Sequence, residues 1–150
     1  METWQSVLSD LSETANVEMQ QRAIALLTND DSCNLETLIN ISDKSFWRNI
    51  SIVLLNKGYV KNTPILEQLF ERLQDINWPG SNNFIKLLGS FPNSIFIPMY
   101  KTSINKAIKT RDEEWLDYLA LFLYNGKVKK EELCDEVLYK ELEKHLAFWK

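Results

Sequence analysis

Carboxylates are the side chains best placed to do chemistry in this sequence. They gather at Asp30-Asp31, at Asp112-Glu113-Glu114 with Asp117, and at Glu131-Glu132 with Asp135-Glu136. Paired acids serve glycosidases as acid and base, and oxygen-rich clusters hold hard cations. Each group here falls in a loop or at a helix start, however, where dipole compensation and solubility account for it. The one histidine, His145, lies in a Lys/Glu-rich stretch near the end. That position argues against a catalytic triad or zinc site and predicts a surface residue. Cys33 and Cys134 match no CxxC spacing, so two reduced thiols, buried or half-buried, are expected. Neither GxGxxG nor GxxxxGK occurs, which removes the phosphate loops. No catalytic, cofactor or metal residue is expected, and no enzyme.

The elements that must position these residues read as helices. The 150 residues are 45% hydrophobic and 25% charged, the balance of a folded chain, and they suit one domain over 1–150. Only 4 Gly and 4 Pro interrupt them, which favours helices joined by short turns over a sandwich or barrel. The longest apolar run, Tyr118 to Tyr124, is far short of the roughly 20 residues that cross a bilayer. From Met1 to Glu13 there are acids and no Lys or Arg, so no secretory signal is expected and the expected compartment is the cytoplasm.

Helical spacing recurs along most of the chain. Thr3 is the expected cap of a segment containing Trp4, Val7, Leu8 and Leu11. A second segment carries Ala23, Ile24, Leu26 and Leu27, and a short third runs from Leu35 to Ile41. Ser42 or Asp43 opens a fourth through Trp47, Ile50 and Leu54, stopped by Gly58. Thr63-Pro64 opens the fifth and Asn77 with Pro79 the sixth. Ser94 to Tyr100 alternates as a strand would, but a lone strand has no partner, so a helix reaching about Lys109 is expected around Pro98. Asp112 caps an apolar helix that ends at Asn125-Gly126, and a final long helix is expected from about Lys129 to Phe148.

Three segments share a pattern: Asp43 to Trp47, Asp75 to Trp78 and Asp112 to Trp115, each running into a Leu-rich stretch that ends at Gly58, Gly89 or Gly126. A period in the thirties, the length of one helix-turn-helix unit, marks an α-solenoid in which stacked pairs join their apolar stripes into one core. The expected fold is therefore all-α, a solenoid of HEAT/armadillo-like antiparallel helix pairs. Trp47, Trp78 and Trp115 are expected to pack between repeats, and Trp4 and Trp149 to be the exposed aromatics.

The leucines of residues 66–73, then Gln74-Asp75-Ile76-Asn77-Trp78-Pro79, and later Asp112-Glu113-Glu114-Trp115-Leu116-Asp117-Tyr118 resemble the signature of a small bacterial family of unknown function with HEAT-like repeats. The resemblance spans about residues 43–124 and leaves the first 42 residues and the last helix unmatched. It implies the fold and a bacterial source, and it transfers no activity.

Charge is uneven along the chain. Residues 1–43 hold one base and eight acids, residues 44–111 ten bases and three acids, and residues 112–150 six bases and ten acids. Acidic ends suit a basic partner. The function expected is a protein-binding module, specifically a bacterial immunity protein that occludes the active site of a cognate toxin such as a basic nuclease. It resembles helical-repeat immunity proteins by architecture alone. The expected contact residues are Asp30, Asp31, Glu36, Asp112, Glu113, Glu114 and Asp117, with loop positions preferred. The alternative is nucleic-acid binding through Lys86 and the stretch Lys101 to Arg111. The dispersed bases and net charge of −4 argue against it.

Overall fold

The structure, a computed structural model, describes residues 3–150 and contains no strand among them. Two compact units form, one from residues 3–65 with Asn77–Leu87 and a second from Leu66–Ile76 with Leu88–Lys150. No helix is long and apolar enough to cross a membrane among the described residues.

In the first unit the chain begins with turns and a 3-10 helix, Leu8–Leu11. Thr3 does not cap it: its hydroxyl accepts from the Ser6 amide at 3.4 Å and its amide donates to Ser6 Oγ at 3.1 Å, closing only the preceding turn, and the 3-10 helix starts after Val7 with no side-chain cap. Helix α1 (Val17–Asn29) is capped by Asn16, and α2 (Leu35–Ile39) by Asn34, each side chain accepting an orphan amide of the first turn. Asp43 caps a 3-10 turn, Lys44–Phe46, that feeds α3 (Trp47–Asn62). α1 and α2 both pack on α3, and Leu11, Leu27, Leu38, Val53 and Leu54 are fully buried there.

Gly58 interrupts α3 at φ +83°, so the helix ends where the sequence indicates and restarts at once. The buried Asn62 amide donates to the Leu54 and Gly58 carbonyls, both at 2.7 Å, and satisfies acceptors released by the break. Thr63 is not a cap. Its backbone is helical and its hydroxyl bonds back to the Tyr59 carbonyl, so the next α-helix starts only after the 3-10 turn Thr63–Ile65.

The second unit opens with α4 (Leu66–Glu71) and a 3-10 turn, Arg72–Gln74. Helix α5 (Ser81–Ser90), which belongs to the first unit as far as Leu87, begins two residues later than Pro79 suggests, because Gly80 adopts φ +97°. α6 (Asn93–Lys109) carries Pro98 within it, so residues 94–100 are helix. α7 (Glu113–Leu119) and α8 (Leu121–Tyr124) break at Ala120. The expected final helix is instead three pieces: α9 (Lys130–Leu133), α10 (Glu136–Glu143) and a 3-10 helix, Leu146–Trp149. Cys134 turns into the left-handed region at φ 53°, and Asp135 then caps α10 through the Leu138 amide.

The second unit's core is aromatic. Phe70, Phe96, Tyr100 and Phe122 are fully buried, with ring centroids 5.0–6.5 Å apart in tilted and edge-to-face pairs. Trp115 joins them, its indole N–H donating to the Phe70 carbonyl at 3.0 Å. In the first unit Trp47 and Trp78 meet edge to face at 5.2 Å, Trp78 buried and Trp47 half-buried.

The middle of the three sequence repeats differs from its neighbours. Asp75 follows a 3-10 turn in extended backbone, Trp78 precedes α5 instead of lying in it, and Gly89 is helical.

Candidate partner-binding site

The expected contact residues divide between the units. In the first, Asp30 ends α1 and folds back on Ser32, accepting from its amide at 2.8 Å and its hydroxyl at 2.5 Å. Those two bonds hold the Asp30 carboxyl below its ordinary range. Asp31 pairs with Lys61, which lowers its pKa in turn. Lys57 donates to the Thr28 and Asp30 carbonyls at 3.2 and 3.0 Å, placing a cation at the negative end of α1. Glu36 is exposed in the first turn of α2. Asp30 and Asp31 thus close the loop between α1 and α2.

The four carboxylates of the second unit occupy one short helix and its cap. Asp112 accepts the Trp115 amide at 3.0 Å. Residues four apart on a helix share a face, so Glu113 aligns with Asp117, and Glu114 with Tyr118, whose hydroxyl donates to Glu114 at 2.8 Å. Burial, then the Glu114 carboxylate, push the Tyr118 phenol up to about 12.

His145 lies on this face, against expectation. Its side chain is 11% exposed, with Nδ1 2.7 Å from Asp117 and Nε2 3.2 Å from Glu113. The turn after α10, closed by the His145 amide on the Leu142 carbonyl, carries the ring back to α7. A protonated ring donates to both carboxylates, and a neutral ring to one. In a nucleophile-activating triad Nε2 faces a hydroxyl or thiol. Here it faces Glu113, and the arrangement fastens the C-terminal segment.

Trp149 reinforces the fastening, its indole N–H donating to the Asp117 carbonyl at 2.6 Å, so it is half-buried where exposure was expected. Trp4 is likewise half-buried. Phe148 packs edge to face on Tyr118 at 5.7 Å and on Trp149 at 5.0 Å, yet 53% of it remains exposed. The 3-10 segment packs on α8, whose Tyr124 is also exposed. Sequence reasoning missed His145 and Phe148 as site residues. The near-terminal position of one and the absence of any motif around the other gave no signal of a pairing 28 residues away.

Among the described residues no His, Cys, Asp or Glu grouping has the geometry to hold a metal ion. Both cysteines are free. Burial raises the Cys33 thiol, whereas Cys134 is exposed, contrary to its expected burial.

Fold and site together define an all-helical protein with an acidic face beside the exposed Phe148 ring. A family model described as "Domain of unknown function (DUF5071)" matches residues 41–147, and the chain belongs to that family. The match takes in α9 and α10, beyond the stretch where the sequence resemblance ends. No curated protein matches the chain, and no solved structure does.

Proposed function

We propose that this chain is a protein-binding module of the helical-repeat, HEAT/armadillo-like kind, acting as a bacterial immunity protein that neutralises a cognate toxin by covering its active site. The partner is a basic domain, such as a nuclease. The observation that carries the reading is the run from Asp112 to Tyr124, with four carboxylates and no lysine or arginine, beside the exposed ring of Phe148. Aromatic anchors ringed by charge are the usual energetic centre of a protein interface. Opposite charge on the partner speeds encounter and rejects acidic competitors.

Of the expected contacts in the second unit, Glu113 keeps a side chain 75% exposed while it meets His145 Nε2 at 3.2 Å. Asp112, Glu114 and Asp117 hold the face in shape while adding to its field. Asp30, Asp31 and Glu36 form a separate acidic surface in the first unit. Co-expression with the product of the gene immediately upstream tests the reading. A stable complex and relief of toxicity are expected, and recovery of the chain alone with toxicity unchanged overturns it.

A further inference from the structure

A second surface, in the first unit, has the form of a receptor for one side chain. A groove of about 430 Å³ is lined by Leu8, Ile41 and Phe46, with Gln5 and Ser9 at its edge. The three apolar residues are only half-buried, so their hydrophobic surface is incompletely covered. Its walls are tied together in advance. The Glu13 amide donates to the Ser45 carbonyl at 2.9 Å, Ser12 and Ser45 share a hydroxyl contact at 3.0 Å, and the buried Asn49 amide donates to the Leu11 carbonyl at 2.7 Å. A prebuilt groove loses little entropy when filled.

Charge indicates what fills it. Asp10 adjoins Ser9, and Asp43 lies between Ile41 and Phe46, in a stretch holding eight acids and one base over residues 1–43. The two cations that adjoin this stretch in sequence are directed at the chain's own groups, Arg48 to Glu13 at 3.7 Å and Lys44 over the Trp47 ring at 5.7 Å. We infer that this groove seats an aliphatic or aromatic anchor from a basic segment of a protein partner, an inference that rests on the binding-module reading. Gln5, Leu8 and Ser9 precede the family-matched segment 41–147, so the groove adds recognition that this segment does not supply alone.

The probe is a synthetic amphipathic peptide of Leu-Lys-Lys-Leu units, compared with its Glu-for-Lys counterpart by amide NMR of the full chain. The lysine peptide is expected to shift Gln5, Leu8, Ser9 and Phe46, and the glutamate peptide to shift nothing. Gln5→Trp, which fills the groove, and Leu8→Lys should each weaken binding about tenfold or more. Shifts centred elsewhere, equal response to both peptides, or wild-type binding by both folded variants overturns the inference. Concentration-dependent shifts at these residues without peptide indicate a second copy and overturn it as well. A complex with the upstream gene product that survives Gln5→Trp removes the groove but not the module. A seated peptide without such a complex does the reverse.

Discussion

At the residue scale, Gly80 shows how one atom controls local packing. It adopts φ +97°, and a Cβ there would meet Ser51 Oγ at 2.5 Å and the Arg48 Cα at 3.0 Å. Gly80→Ala should lower unfolding free energy by about 1–3 kcal/mol in urea titration, and an unchanged midpoint would refute the close approach. Tyr118 gives a pH signature. Its phenol is raised from 10.0 to about 12, so the neutral form is favoured in the fold. The associated stability is complete below the ordinary value of 10.0 and is lost as pH climbs toward 12. Tyr118→Phe should therefore flatten the alkaline decline in stability and remove one late step from the tyrosinate absorbance titration. An equally steep decline would contradict the burial and Glu114 argument. The acids that cap helices, Asp43 and Asp112, were legible in the sequence because a cap needs only local spacing. The partners of His145 were not, since nothing local links it to Glu113 or Asp117.

Elements are where local rules and packing diverge. The sequence marks the ends at Gly58 and Gly126, and both adopt φ +83°. It does not show that the last apolar-periodic stretch breaks at Cys134. The period of Leu133, Leu138 and Leu142 survives a one-residue turn, and all three remain buried. Asp135 carried the available signal, an N-cap inside a helical pattern, and Asp135→Ala should cost about 1 kcal/mol by thermal unfolding. The repeat was legible as composition, but Asp75 lies in extended backbone and Trp78 in a bend ahead of α5, so neither starts a helix. The C-terminal 3-10 segment depends on His145. His145→Ala should speed hydrogen exchange of the Trp149 indole N–H by about tenfold or more, with amides of α1 unchanged. Unchanged indole exchange would mean that Trp149 and Phe148 hold the segment without the histidine.

For the molecule as a whole, the sequence disclosed the helical class and the uneven charge, because periodicity and composition report both directly. It did not disclose which acids stay available. Asp31 is engaged by Lys61, and Asp117 by His145, through contacts between distant parts of the chain. The basic alternative is similarly reduced, since Lys106 pairs with Glu71 at 2.7 Å. Duplex DNA at low salt should therefore not be retarded by the chain, and retardation that fades with rising salt would favour the nucleic-acid reading. The central claim is that the α7 face with Phe148 grips a basic protein. Titration calorimetry of the upstream gene product against wild type, Glu113→Lys and Phe148→Ala tests it most directly. The account predicts a complex weakened about tenfold or more by each substitution. A complex of unaltered affinity in both variants would contradict it.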